Sequence, residues 1–296
     1  MATISTTSNL SDMSAIVIAD SIQNVEPAGP TNQLVNRFDI PQGSKQINLP
    51  IWGRMTASAL TEGQDLQTAK QLAVTVRNLT ATEHGVLTFM SKRLSRQNNE
   101  SVLRQTGLMQ GRAIGRLLES DLVTLFDGFS KTAPGAGLDG DLHDIAGAIA
   151  YLGTDNDSSF GPADMSDLSA VFHTEQIRRF VNALSGRGSF GQNAGEYVPT
   201  GMSEEVIKRH WRGTDPLYNV PLYQSGVISR DSSGDSKGAI FSKLALALAI
   251  SMEVDADEEK DISARGTEMV TVWEWGESEA VDPWGVEFYS ATDAWA

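Results

Sequence analysis

The sequence predicts an α+β fold, and three observations carry that expectation. Apolar and polar residues alternate at strand period near both ends of the chain. A single long helical period begins near residue 100, and a Gly/Pro-rich break at Lys131–Gly140 follows it. With 296 residues, 40% hydrophobic and 21% charged, the chain is long enough for one large or two ordinary domains around a sizeable core.

Residues 1–33 open with a Ser/Thr tract, Thr3 to Ser8, followed by the apolar patch Ala15–Ala19. A helix over Ser11–Asn24 fits, capped by Ser11 or Asp12 and ended by Pro27. The segment is too short to own a core and reads as an arm.

Within residues 34–66, Ile47, Leu49 and Ile51 point one way and Gln46 and Asn48 the other. Gly43-Ser44 supplies a turn, with Phe38 and Ile40 on the approach and Trp52 and Met55 on the return. The pattern predicts a long β-hairpin with one apolar side. An isolated hairpin is marginal in water, so that side needs a cover: either its own domain or a neighbouring subunit.

Leu72–Leu79 and Gly85–Met90 read as two further strands. The period then changes. Ile114, Leu118, Leu122, Leu125, Phe126 and Phe129 follow at helical spacing, with Asn98 or Asn99 as N-cap and Glu100 in the first turn. A continuous helix there would be ~28 residues and ~42 Å long. Gly107, Gly111 and Gly115 sit four apart inside it and together give up roughly 3 kcal/mol relative to alanine. Such a face allows close backbone approach, and tight packing on the chain's own sheet is the simplest use of it. Arg104, Arg112 and Arg116 exclude a membrane for this helix.

Beyond the break, Asp141–Leu152 reads as a helix capped near Asp139 or Asp141, Leu168–Phe172 as a buried strand and His173–Ser185 as a helix. Ser185–Gly195 is a Gly-rich loop, and Ser203–Arg212 a helix. Extended chain then runs through Pro216 and Pro221 to Ile228. Ala239–Met252 is ambiguous: Leu244, Leu246, Leu248 and Ile250 alternate at strand period, yet Ala and Leu favour helix. Thr267–Trp275 and Trp284–Ser290 read as closing strands.

Composition excludes several functions. Without cysteine there is no disulfide, thiolate metal site or cysteine nucleophile. The four histidines, His84, His143, His173 and His210, are never paired at ligand spacing. The first basic residue is Arg37, so no secretory signal is expected, and no apolar run reaches the ~20 residues of a membrane span. Gly186-Arg-Gly188-Ser-Phe-Gly191 has the letters of a dinucleotide fingerprint but follows a helix instead of a strand. The run Glu253–Asp261 has carboxylates at calcium-loop spacing, but Lys260 stands where the loop needs glycine, so it reads as a solvated acidic loop. His173 is a candidate base or a structural histidine. No spacing singles out a catalytic pair, so no catalytic, cofactor or metal residues are assigned and no enzymatic role is expected.

The net charge of −15 is uneven. From Glu253 onward 13 acidic residues face 2 basic ones, while Lys92–Arg116 carries six basic residues against Glu100. The arginines Arg93, Arg96, Arg104, Arg112 and Arg116 can pair with the acidic segment within or between subunits, or face other material. So acidic a chain is unsuited to gripping DNA through phosphate neutralisation.

The order of these parts resembles the major capsid protein of tailed double-stranded DNA bacteriophages. Asn36–Pro50, continuing to Glu62-Gly63, is similar to that family's extended loop, and Arg112-Ala-Ile-Gly-Arg-Leu-Leu-Glu-Ser-Asp121 to its spine helix. Leu168–His173 with Gln176 resembles the strand and helix of the axial domain. Asn219-Val-Pro-Leu-Tyr-Gln-Ser225 resembles the returning segment, and Trp284-Gly-Val-Glu-Phe-Tyr289 the last strand.

The resemblance implies the tailed-phage capsid fold. Its parts would be an N-terminal arm (1–33), an extended β-hairpin loop (34–66), and a peripheral domain with spine helix and β-sheet (67–135). An axial α/β domain (136–228) and return strands (229–296) would follow.

It further implies a structural subunit that self-assembles into pentamers and hexamers of an icosahedral head. The head encloses double-stranded DNA without sequence-specific binding. Phe38, Ile40, Ile47, Leu49, Ile51, Trp52 and Glu62 would meet a neighbour, and Gly107, Gly111 and Gly115 would pack the spine helix. The arginines would pair with acidic residues or face the lumen. No cofactor and no membrane are implied. A separate scaffolding protein, a portal and in some relatives a decoration protein are the implied partners, with assembly in the host cytoplasm and residence in the virion. A nanocompartment shell of the same fold, or a soluble acidic enzyme, are the alternative readings.

Overall fold

A computed structural model of the chain describes residues 29–60, 62–63, 69–93, 101–157, 159–184 and 218–292. The expected arm helix at Ser11–Asn24, the caps Asn98 and Asn99, Arg96, the Gly186–Gly191 loop and the Ser203–Arg212 helix lie outside the described residues, as does the side chain of Arg104.

One body is a four-stranded sheet backed by the long helix. Its strands are β1 (Asn36–Asp39), β4 (Thr82–Ser91), β9 (Leu246–Asp261) and β10 (Gly266–Glu279). Their order is β1-β9-β10-β4, with β1 parallel to β9 and the rest antiparallel. The single helical turn α1 (Thr31–Leu34) leads into β1, and α2 (Ser101–Thr124) lies across the sheet. At 24 residues α2 is about 36 Å long, and a 3-10 turn at Leu125–Gly128 extends it.

The buried arc of α2 explains its glycines. Gly107, Gly111 and Gly115 are all buried, interleaved with Ile114, Leu118 and Leu122, so the glycine face turns into the chain's own core. Fully burying side chains such as Ile114, Leu118, Leu122 and Phe126 contributes ~1.5–3 kcal/mol each. That outweighs the propensity lost to three glycines. Gln110, on the same arc, donates to Thr88 Oγ1 and to the Met269 carbonyl and accepts from Thr271 Oγ1, pinning the helix to β4 and β10.

The second body is a five-stranded sheet, order β5-β11-β8-β6-β7. It comprises β5 (Thr132–Pro134), β6 (Leu168–His173), β7 (Leu222–Ser225), β8 (Asp235–Ser242) and β11 (Gly285–Ala291), with helices α3 (Leu142–Gly153) and α4 (Thr174–Leu184). Asp141 and Asp144 form a reciprocal capping box at the start of α3. Buried Gln176 on α4 accepts from the His173 N–H and donates to the Ser236 and Phe288 carbonyls and to Ser290 Oγ. One side chain therefore ties the helix to three strands. The ambiguous Ala239–Met252 stretch is strand on both sides of a turn at Lys243–Ala245, with Leu246, Ala247, Leu248 and Ala249 buried on both faces and Leu244 exposed in the turn.

Two readings are corrected here. Phe38 and Ile40 do not pair with the Ile47 strand. β1 joins β9 instead, and Ile40 is buried against Leu79, Ala81, Ala247 and Ala249 of its own chain. The strand β2 (Gln46–Trp52) pairs antiparallel with β3 (Val74–Thr80), so the projecting ribbon is built from β2 and β3. Gly43, at φ +89°, turns the chain between two sheets and not within a hairpin. The second correction concerns Glu253–Asp261. This run is the outer half of β9, paired to β10, and is not a loop.

Where β3 turns into β4 the chain crosses β10 at Gly276. A Cβ there would lie 2.3 Å from the Thr80 carbonyl oxygen, a backbone atom with no room to yield. Gly276→Ala is expected to cost about 2–3 kcal/mol of unfolding free energy by chemical denaturation. A loss below about 0.5 kcal/mol would show that the crossing relaxes freely.

Candidate functional site

The β2–β3 ribbon has two unlike faces, because residues directly opposite in an antiparallel pair share a side. On one face Ile47, Leu49 and Ile51 are half-buried, and Ile47 and Leu49 rest with Phe38 on the small core around Leu79. On the other, Trp52 lies opposite Val74 and Pro50 opposite Val76. There Trp52 is 59% and Val76 54% exposed, and Val74, Met55 and Leu72 are also uncovered. Leu60, on the chain between the strands, is 70% exposed, and Glu62 is exposed.

Of the residues expected to meet a neighbour, Ile40 is therefore spent inside its own chain. Ile47, Leu49 and Phe38 are partly spent, Ile51 is half-buried, and Trp52 and Glu62 stand free of burial. The sequence reading missed Val74 and Val76 as the ribbon's other apolar half. Their alternation in Leu72–Leu79 was the available signal, but nothing local tells a strand of a ribbon from a strand of a sheet.

The foot of the ribbon is anchored. Gly53 N–H donates to the Ala73 carbonyl and Arg54 N–H to the Ser159 carbonyl, at 2.9 and 2.7 Å. The Arg54 guanidinium pairs with Asp155. These bonds fix where the ribbon leaves the body, next to the loop after α3.

The basic stretch and the acidic segment meet through uncharged groups: Lys92 N–H donates to the Arg265 carbonyl at 2.8 Å, and Gln110 bonds the Met269 carbonyl and Thr271 Oγ1. Arg93, Arg112 and Arg116 are exposed, and among the described residues no ion pair joins them to the acidic segment. The outer half of β9 has no further strand partner among the described residues, since β1 stops at Ile250. Glu253, Asp255, Asp257 and Glu259 on this stretch are exposed. Among the described residues no group of three or more His, Asp or Glu can hold a metal ion. None of their helices is long and apolar enough to cross a membrane.

His173 is a structural histidine. Its Nδ1 accepts the Glu175 N–H at 3.1 Å at the start of α4. Burial, reinforced by Arg230, holds its imidazole below the ordinary histidine range, against the pull of Glu175. Four carboxyls beside the long helix and β10 are pushed the other way. Burial raises Asp121, Glu119 and Glu277, the last helped by the charge of Asp121. Glu279 is pushed up to about 7 by burial, then by the charge of Asp282 and a hydrogen bond to it, with Arg77 opposing. Asp282 is held in place by the Ser130 N–H and hydroxyl, at 2.7 and 2.5 Å.

Solved structures share this arrangement over almost the whole chain. A chain of Mycobacterium phage Che8 superposes with a TM-score of 0.64 at 13% identity, covering 88% of this chain and 90% of that one. The capsid of Ralstonia phage GP4 gives 0.64 at 12% identity, covering 90% and 89%. The acidic stable capsid of Helicobacter pylori bacteriophage KHP30 gives 0.65 at 12%, covering 89% of each.

This chain has the tailed-phage capsid fold. No family model matches the sequence, and no curated protein matches it. The likeness thus lives in the course of the backbone. Within this fold the β2–β3 ribbon carries uncovered apolar surface at Trp52, Val74 and Val76.

Glu279 makes stability depend on pH. Its folded value lies above the unfolded carboxyl's, so its contribution is complete below about pH 4.5 and is lost as pH rises through about 7. Unfolding free energy is expected to fall between pH 5.5 and 8.5, and to fall less in Glu279→Gln. Denaturant midpoints at the two pH values measure both; an equal fall in the variant would remove Glu279 from the account.

Proposed function

We propose that this chain is a major capsid protein, a structural subunit that closes with copies of itself into the icosahedral head of a tailed phage around double-stranded DNA. The observation that carries the reading is the agreement in fold over about nine-tenths of both chains with phage capsid structures. The uncovered face of the ribbon supports it. Trp52, Val74, Val76 and Leu60 form apolar surface that a monomer leaves in water and a neighbouring subunit would bury.

In this reading the body with α2 and the four-stranded sheet is the peripheral domain, with α2 as its spine. The five-stranded sheet with α3 and α4 is the axial domain. The loops of the axial domain meet their copies around pentamer and hexamer axes, and the ribbon crosses onto the next subunit. Assembly takes place in the host cytoplasm with a separate scaffolding protein and a portal, the finished shell residing in the virion. A wall of net charge −15 per subunit stores DNA without gripping it. Every role is mechanical, through surfaces that associate and none that reacts.

The ribbon is the place to test it. Trp52→Ser combined with Val76→Ser removes apolar area that the monomer leaves exposed, so monomer stability is expected to change by no more than about 0.5 kcal/mol. Sizing chromatography and electron microscopy of the unaltered chain are expected to show megadalton shells, and the double variant only small species. Shells from the double variant would sink the overlapping ribbon. An unaltered chain that stays monomeric in the presence of its scaffolding protein would sink the capsid reading itself.

A further inference from the structure

Glu119 is a carboxyl with no business in a core. It sits on α2, is 1% exposed, and has no cation beside it among the described residues. Its partners come from two separate parts of the chain. Thr31, at the start of α1, donates its backbone N–H to Oε2 at 3.1 Å and its hydroxyl to Oε1 at 2.7 Å. Ser225, the last residue of β7 in the five-stranded sheet, donates its hydroxyl to Oε1 at 2.9 Å. Gly29 lies so close that a Cβ there would stand 2.2 Å from the carboxyl carbon. One carboxyl therefore holds the first described segment and the edge of the five-stranded sheet to the helix that backs the other sheet.

Among the described residues the groups that bond it are neutral. Residues 29–34 carry no titratable side chain, on β7 the only one is Tyr223, and on the neighbouring β6 His173 stands in register with Ser225. On α2 itself Arg116 is exposed, and Asp121 interacts with His84. An ionised carboxylate here keeps three hydrogen bonds but loses most of its hydration with no countercharge, and burial outweighs the donors in raising its titration. Oε2 accepts one hydrogen bond and Oε1 two, so Oε2 has room for a proton.

We propose that Glu119 is a proton-operated pin: protonated, it fastens both the Gly29–Leu34 segment and the end of β7 to α2, and loss of its proton to solvent loosens the two together. The sign follows from the environment. A buried acid whose neutral form is favoured in the fold contributes stability at low pH and withdraws it as pH rises. The coupling is local, because both fastened segments meet at one side chain.

Hydrogen exchange of the full chain, resolved by peptide and corrected for intrinsic rates, tests this as pH is raised from the ordinary glutamate value of 4.5 to the highest pH at which the chain stays folded. Protection of peptides spanning 29–35 and 222–228 is expected to fall together, by roughly tenfold, along one titration. Glu119→Gln, which keeps the shape and stays neutral, is expected to abolish that titration, whereas Glu279→Gln is expected to leave it unchanged. Ser225→Ala is expected to loosen 222–228 at every pH while 29–35 still titrates. That second variant answers the question even if Glu119→Gln does not fold. Flat protection in the unaltered chain, a titration that survives in Glu119→Gln, or segments that titrate apart would each overturn the pin. The readout concerns the single chain and is independent of whether shells form.

Discussion

The two sheets are joined at one seam, and the rest of the structure depends on it. At Ser242–Ala245 the chain leaves the five-stranded sheet and enters the four-stranded one; at Ala280–Val281 it returns. The Ala245 carbonyl accepts the N–H of both Ala280 and Val281, so the outgoing and returning strands change sheets side by side. The largest core gathers here, with Phe241, Ala245, Leu246 and Trp275 packed beneath Leu118, Leu122 and Phe126 of the long helix. Two bodies fastened by paired crossings share a core and still keep separate outer faces. In the proposed shell role, that combination would let each body meet a different neighbour.

Carboxyls concentrate around this seam. Glu279 and Asp282 flank the returning strand, Glu277 and Asp121 lie beside it, and Glu119 closes the junction from the helix side. Burial disfavours the charged forms of Glu279, Glu277, Asp121 and Glu119. The join between the bodies is thus responsive to proton concentration. The outer half of β9 handles charge in the opposite way. Beyond Ile250 it has no partner on its outer edge among the described residues, and Glu253, Asp255, Asp257 and Glu259 are exposed there. Acidic edges repel one another, which protects a strand from pairing with its own copies when many are made at once.

How the sequence reading fared follows the range of each signal. The helix α3 was legible because Asp141 and Asp144 cap it locally. The strand-then-helix at Leu168–Leu184 was legible because a fully apolar run gives way to helical period. The pairing of β2 was not. Gly43-Ser44 does form a turn, but the turn lies between sheets, and the partner of β2 lies more than twenty residues further on. The acidic run misled for a related reason. Charge suggested a loop, whereas alternation along a long hairpin lets Glu253, Asp255, Asp257 and Glu259 reach water from within a strand.

By itself the sequence determined the α+β class, the long helix with its three glycines, the absence of thiol chemistry and the split between a basic stretch and an acidic one. These are properties of composition and of short-range period, set by side-chain volume, backbone freedom and charge. Tertiary structure alone decided that Ile40 belongs to the core and Trp52 to the surface, that Val74 and Val76 complete the ribbon's bare face, and that Glu119 gathers residues from positions 29, 31 and 225. The physical reason is that burial and strand partnership are set by residues distant along the chain. Those residues meet only after the two crossings at Ala245 have brought both sheets together.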